Sequence, residues 1–150
     1  MAFAAPSLKG RALRLLSQRE HTRSELERKL ARYEEEPGTL ARALDELAAK
    51  NHISEARVVE SVVHQRAARH GAARVRQELL HKGVAPDMVA EAVAALADSE
   101  LERARAVWLQ RFGTPPGSAA ERAKQLRFML SRGFAAGVVA RVLRSDFDDE

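Results

Sequence analysis

The chain repeats a helical pattern with a period of 49 to 50 residues, and this feature restricts its possible folds more than any other. Residues 79–85 align with residues 129–135 at an offset of 50, and each segment places a glycine at the same point. An offset of 49 carries Pro86 onto Pro37, together with the apolar positions that follow. Such units cannot bury their apolar faces alone, so the period predicts a tandem array that is extended rather than spherical.

Apolar residues recur at helical spacing in every segment, and no segment shows a convincing strand alternation. The pattern therefore predicts an all-α protein of about nine short helices, arranged as three tandem three-helix repeats. The predicted boundaries are helical repeat 1 at 1–53, repeat 2 at 54–98, repeat 3 at 99–144 and an acidic disordered tail at 145–150.

Helix ends are predicted from local chemistry. Thr22 precedes Glu25 by three residues, the spacing of a capping box, and the same spacing recurs at Ser99 and Ser118. Gly83 follows Lys82 and is predicted to be a left-handed C-cap. A proline is favoured at the first position of a helix, so the sixth helix is expected to begin at Pro86.

Charge is arranged in blocks. Residues 1–33, 61–83 and 103–144 are basic, and the segments between and after them are acidic, although the whole chain carries only +4. Local fields of this kind attract phosphate groups or an acidic protein surface. The alternative is a solvated helical surface that binds nothing.

The composition argues against catalysis. There is no cysteine, which excludes disulfides, thiol nucleophiles and Cys-based zinc sites. The five histidines show no metal-binding spacing and are expected to be exposed or to cap helices, and no glycine-rich phosphate loop is present. We therefore expect no enzyme activity, no metal and no cofactor. The short apolar N-terminus does not resemble a signal peptide and no apolar run approaches a bilayer span, so a cytoplasmic protein is expected, with no membrane association.

Five short segments follow one another in a characteristic order. They are residues 12–26, 44–47, 53–57, 74–79 with 82–84, and 128–134. In this order they resemble the RecX family, small regulators of the RecA recombinase, over residues 8–143. The resemblance implies three tandem three-helix repeats in an elongated, curved array. It also implies binding along the groove of the RecA filament on single-stranded DNA, with inhibition of filament growth, ATP hydrolysis, strand exchange and LexA co-cleavage, and thus a place in DNA recombination, repair and the SOS response.

The chain departs from the family pattern at two places. Family members usually carry an aromatic-rich helix after the position of Ile53, whereas this chain has valines there. A Gly-Tyr-Gly-Pro-like turn is reduced to His70-Gly71-Ala72-Ala73. Valines can fill the same apolar stripe, so the predicted fold stands, but a contact role for those aromatics is not expected here.

Cations at repeated positions are the candidate binding residues. The apolar stripe of the fourth helix is expected to continue into Arg66 and Arg69 on one face. Arg74 should face solvent, and its counterpart in the third repeat is Lys124. Lys82 and Arg132 share one repeated position, where they could instead stabilise a helix C-terminus. The predicted partner- or DNA-binding set is Arg66, Arg69, Arg74, Lys82, Lys124, Arg127 and Arg132.

Three functional interpretations remain open from the sequence. The first is a regulator, expected to be a monomer, that binds the RecA filament and has weak direct affinity for DNA. The second is a direct DNA-binding protein that acts without RecA through a helix-turn-helix-like segment such as Gly71–Lys82. The third is a helical scaffold for another partner, because fold alone does not determine function.

Overall fold

The computed structural model describes the backbone of residues 5–148 and the side chains of residues 5–144. This part of the chain contains nine α-helices, one short 3-10 turn at Ala31–Tyr33 and no strand, which confirms the predicted all-α class. The helices are α1 (Leu8–Gln18), α2 (Arg23–Leu30), α3 (Thr39–Ala49), α4 (Glu55–Arg66), α5 (Ala72–His81), α6 (Pro86–Ala97), α7 (Glu100–Arg111), α8 (Ala119–Ser131) and α9 (Ala136–Asp148).

The described chain forms two compact units. The first contains the residues up to Ser61 together with His81–Val84, and the second contains Val62–Leu80 and the residues from Ala85 onward. The middle repeat thus contributes residues to both units. In the first unit α1 packs against α2 and α3, and in the second α9 packs against α7 and α8.

Each unit has its own apolar core. Leucines at helical spacing form most of the first core, with Leu26, Leu44 and Leu47 fully buried. The second core is built around Trp108, Met129 and Phe134. Trp108 packs in the core with its side chain buried, so its ring is not available to stack on a base.

A polar side chain that the sequence analysis missed fixes Trp108. The indole N–H of Trp108 donates to the Gln125 side-chain oxygen at 2.8 Å, and the Gln125 amide donates to the Thr114 carbonyl at 3.1 Å. A buried indole N–H needs an acceptor, so Gln125 satisfies a donor that would otherwise destabilise the core.

Two of the three predicted caps form. The Thr22 hydroxyl accepts from the Glu25 amide at 3.1 Å and the Glu25 carboxylate accepts from the Thr22 amide at 3.1 Å, which completes the capping box. The Ser118 hydroxyl accepts from the Glu121 amide at 3.2 Å. The predicted cap at Ser99 is wrong: its backbone is already near-helical, and its hydroxyl instead donates to the Leu96 carbonyl.

The same turn contact occurs twice. Gly83 and Gly133 both have left-handed backbone, with φ of +88° and +90°, as predicted for Gly83. A Cβ on Gly83 would lie 2.6 Å from Ser24 Cβ, and one on Gly133 would lie 2.6 Å from Arg74 Cβ. Ser24 and Arg74 are themselves 50 positions apart. In each case, therefore, the turn after the second helix of one repeat packs on the start of the second helix of the preceding repeat.

Hydrogen bonds to the turn carbonyls reinforce these contacts. The Thr22 hydroxyl donates to the Lys82 carbonyl in the first unit. In the second unit the Gly71 amide donates to the Arg132 carbonyl at 2.9 Å. Helix C-terminal carbonyls lack intrahelical partners, and here the preceding repeat supplies the missing donor.

The C-terminal helix is longer than predicted. α9 continues through Asp148, so residues 145–148, which the sequence analysis placed in a disordered tail, have helical backbone. No glycine or proline follows Leu143 to stop the helix. Residues 149–150 of the predicted tail lie outside the described part of the chain.

Candidate functional site

Six of the seven predicted binding cations lie in the second compact unit. These six are Arg66, Arg69, Arg74, Lys124, Arg127 and Arg132. Lys82 lies in the first unit, where its carbonyl takes part in the turn contact with Thr22. All except Lys82 and Arg132 are exposed, and those two are half-buried.

The fourth helix does not carry its cations as predicted. α4 ends at Arg66, and residues 67–70 form a turn in which the Arg69 and His70 amides both donate to the Arg66 carbonyl. Arg69 therefore lies in the turn after α4 and not on the helix that carries Arg66. Arg66 also forms an ion pair with Glu78, with Nε 3.0 Å from Oε2, so part of its charge is neutralised.

Arg69 and Arg132 do come together, in a cleft that we call the Phe128 cleft. Its volume is about 340 Å³. The guanidinium carbons of Arg132 and Arg111 lie 5.1 and 5.2 Å from the centre of the Phe128 ring. Among the described residues, the lining is Arg69, Val107, Gln110, Arg111, Phe128 and Arg132, with no carboxylate.

Arg111 was missed by the sequence analysis. Its neighbour Phe112 packs edge to face on Phe128, with ring centres 5.4 Å apart, and this contact brings α7 and α8 together beside the cleft. The signal was an arginine next to an aromatic residue in each of two helices, since arginine favours aromatic faces. Which two aromatic residues meet depends on tertiary packing.

His70 lies among three of the predicted cations. Its pKa is lowered, first by burial and then by the positive charges of Arg132, Arg74 and Arg66. The ring is therefore neutral at pH 7 and adds no charge of its own. The positive charges of Arg132 and Arg74 thus act on the same buried ring, and this part of the second unit suits a negatively charged partner.

Lys124 and Arg127 extend the positive charge along α8. Both are exposed, and neither forms an ion pair among the described residues. Lys124 and Arg127 are three residues apart, so they are neighbours on one face of α8, and Lys124 lies one turn before Phe128. The second unit thus presents a surface with several uncompensated cations, which we call the cationic surface: Arg69, Arg74, Arg111, Lys124, Arg127 and Arg132.

Arg103 is a further cation that the sequence analysis did not select, and its role is structural. Its guanidinium donates to the carbonyls of Ala67 at 2.9 Å and His70 at 2.7 Å. These bonds hold the turn between α4 and α5, and burial lowers the pKa of Arg103. By fixing this turn, Arg103 positions Arg69 at the Phe128 cleft.

The expectation that every histidine is exposed or capping is wrong for His21, which is 1% exposed. Its Nδ1 lies 3.0 Å from the Arg19 carbonyl, and its Nε2 lies 3.0 Å from Lys29 Nζ. An ammonium can only donate, so the ring is neutral, with the proton on Nδ1. Burial is the main cause of a lowered pKa at His21.

Stability should fall with acid because of His21. Its ordinary pKa of 6.5 applies in the unfolded chain and is lowered in the folded one, so the unfolded state binds the proton first as pH falls below 6.5. The melting temperature should therefore be lower at pH 5.5 than at pH 7.5. His21→Gln should flatten this dependence, and the exposed His52→Gln should not; an equal slope in both variants would exclude His21 as a source.

Two other kinds of site are absent from the described residues. No group of three His, Asp or Glu side chains is placed to hold a metal ion. No helix is long and apolar enough to cross a membrane.

Comparison with family models matches all three repeats. The first three-helix domain of RecX matches residues 9–47, the second matches residues 54–93 and the third matches residues 98–143. Together these matches span most of the chain and agree with the nine helices described above.

Individual proteins are also similar over nearly the whole chain. The regulatory protein RecX of Leptothrix cholodnii is 55% identical over 138 residues, which cover 92% of this chain and 88% of that protein. The regulatory protein RecX of Herminiimonas arsenicoxydans is 48% identical over 150 residues, which cover 100% of this chain and 99% of that protein. The crystal structure of RecX from Lactobacillus salivarius has the same fold, with a TM-score of 0.77 at 19% identity over 92% of this chain and 93% of that one.

Proposed function

The chain belongs to the RecX family of regulatory proteins, and we propose that it binds the RecA filament on single-stranded DNA and inhibits RecA. Inhibition would extend to the recombinase, ATPase and co-protease activities. In the cell this regulation would act in the cytoplasm on DNA recombination, repair and the SOS response. The protein would do so as a monomer, without catalysis or a cofactor of its own.

The cationic surface carries this proposal. It presents exposed lysine and arginine side chains on α8 and around the Phe128 cleft, and no carboxylate among the described residues lines that cleft. A filament of protein on DNA is a polyanion with repeated negative charge, and a surface of uncompensated cations is electrostatically complementary to it. Binding of this kind weakens with salt, so inhibition should be weaker at higher ionic strength.

The direct test measures DNA-dependent ATP hydrolysis by the cognate RecA while this protein is titrated in. We expect inhibition when the molar ratio of this protein to RecA is well below one. DNA binding by this protein alone is recorded at the same salt concentration as a control. Inhibition at ratios too low to coat the DNA would support action on the filament. If ATP hydrolysis falls only when the protein covers the DNA itself, the proposal is wrong and the protein competes for DNA.

One observation argues against the alternative of sequence-specific DNA binding by the segment Gly71–Lys82. A recognition helix places its N-terminal residues against base edges in the major groove. Here Gly71 and Ala72, where α5 begins, are buried against the turn after α8, and only Ala73 and Arg74 of the first turn are exposed. The Gly71 amide donates to the Arg132 carbonyl, and a Cβ on Gly71 would lie 2.2 Å from the Gly133 oxygen. Any direct DNA affinity is therefore expected to come from charge and to show no base preference.

A further inference from the structure

The first repeat contains a second cationic cleft, which the sequence analysis did not select. It has a volume of about 610 Å³ and lies between α1 and the segment formed by α2 and the following 3-10 turn. A volume of this size falls within the usual range of small-ligand sites, about 300–1,000 Å³. We call it the first-repeat cleft; its lining is Pro6, Gly10, Arg11, Arg14, Leu15, Gln18, Arg28, Lys29, Leu30, Arg32 and Tyr33.

Five of these residues are cations, and among the described residues none of them is neutralised by a carboxylate. Other cations of the same compact unit behave differently. Arg19 pairs with Glu25, Arg23 with Asp45 and Arg57 with Glu20. Glu20, Glu25 and Asp45 therefore pair outside the cleft, and the five cations inside it keep their charge.

Neutral groups hold four of the five cations in place. The Arg11 and Arg32 guanidinium carbons lie 3.8 and 4.7 Å from the centre of the Tyr33 ring, and Arg32 also donates to the Tyr33 hydroxyl at 2.7 Å. Arg28 donates to the His81 carbonyl at 3.2 Å. Lys29 donates to the neutral His21 ring. These contacts orient the cations without cancelling their charge, and preorganised donors of this kind lower the cost of binding an anion.

Arg14 is the exception. Its guanidinium is exposed at the cleft and has no hydrogen-bond or ion-pair partner among the described residues. Arg14 lies one turn after Arg11 and one turn before Gln18 on α1. The Arg14 side chain is therefore free to move onto a ligand, whereas the other four cations are held in place at the surface of the cleft.

We propose that the first-repeat cleft binds phosphate groups, either in a single-stranded nucleic acid or in a free nucleoside triphosphate. Five positive charges that converge on one concave site match an anion of high charge density, and arginine recognises phosphate through paired N–H donors. The Arg11 guanidinium already lies over the Tyr33 ring, with its carbon 3.8 Å from the ring centre, so the cleft offers charge rather than a free aromatic face. Recognition is therefore of the phosphates, without base preference.

The test uses the full chain alone, without RecA, so its outcome is independent of the proposed function. A twelve-nucleotide oligothymidine and ATP are titrated separately into the parent protein and into the Arg14→Glu variant. We expect Arg14→Glu to weaken binding about tenfold, as for the loss of one charge-assisted hydrogen bond. For the oligonucleotide, the slope of log affinity against log salt should decrease in magnitude by about 0.7 per lost contact.

The matched control is Arg42→Glu, which makes the same charge change at an exposed position of α3 outside the cleft. Amide resonances of Gly10, Arg14 and Gln18 provide a local readout that separates this cleft from the cationic surface. They should shift in the parent with whichever ligand binds, and the ligand that shifts them identifies the source of the phosphate. The proposal would be overturned if the two variants weakened binding equally or if neither ligand shifted these resonances. Polyglutamate serves as an anion without phosphate, and tighter binding of polyglutamate than of the oligonucleotide or ATP would also overturn it.

Discussion

Gly71→Ala should destabilise the second compact unit by about 3 kcal/mol, because the added methyl group would overlap backbone that cannot rotate away. A Cβ at this position would lie 2.2 Å from the Gly133 carbonyl oxygen and 2.5 Å from the Phe134 nitrogen. Gly71 has no left-handed backbone, so the whole cost would come from the close approach of the two segments. The single tryptophan, Trp108, is buried in this unit and reports its unfolding in urea.

Substitutions at three other glycines separate the cost of steric overlap from the cost of a left-handed backbone. Gly133→Ala combines a left-handed backbone with a Cβ 2.6 Å from Arg74 Cβ, so a loss of about 2–4 kcal/mol is expected. Gly38 has φ of +91°, and an added Cβ would meet nothing within 4 Å, so Gly38→Ala should show the conformational cost alone, about 1 kcal/mol. Gly38 lies in the first unit, so its unfolding is followed by the helical circular dichroism signal and not by Trp108. Gly137→Ala in α9 meets nothing and should be neutral or stabilising. If Gly71→Ala unfolds at the same urea concentration as Gly137→Ala, the repeat contact does not contribute to stability.

The parts of the fold that depend on local chemistry could be predicted from the sequence. The capping box at Thr22, the proline at the start of α6 and the left-handed Gly83 each follow from a few adjacent residues. The period of 49 to 50 residues correctly indicated three repeats. It could not predict that the turn at Gly133 packs on Gly71 and Arg74. A sequence repeat indicates which positions are equivalent, but not which of them are in contact.

The candidate site was predictable only in part, since its charges depend on contacts between distant residues. Arg66 was selected as a free cation, but the turn after α4 brings it to Glu78. Arg111 joins Arg69 and Arg132 only because α7 and α8 pack through Phe112 and Phe128. The cations of the first-repeat cleft lie in a segment that the sequence identified as basic. Its net charge could not show which of them lack a carboxylate partner, because the segment also contains the glutamates that pair elsewhere. Net charge by segment therefore indicates a binding protein without identifying which cations are uncompensated.

Reversing charge on α8 should separate binding from stability. In Lys124→Glu with Arg127→Glu, both altered side chains are exposed and lack ion-pair partners among the described residues, so the helical signal and melting temperature should change little. If the cationic surface contacts the RecA filament, the concentration needed for half-inhibition of ATP hydrolysis should rise roughly a hundredfold at low salt, since two favourable charge contacts become repulsive. Adding Arg74→Glu should increase the loss further.

The matched control for this pair is Arg42→Glu with Lys50→Glu, which changes the net charge equally at exposed positions of α3 and its C-terminal end. Simple long-range repulsion from a more negative protein would weaken inhibition in both pairs to the same degree, because it depends on net charge. A contact at α8 would weaken it only in the first pair and would reduce the salt dependence of the inhibition that remains. Full inhibition by Lys124→Glu with Arg127→Glu would remove Lys124 and Arg127 from the contact surface.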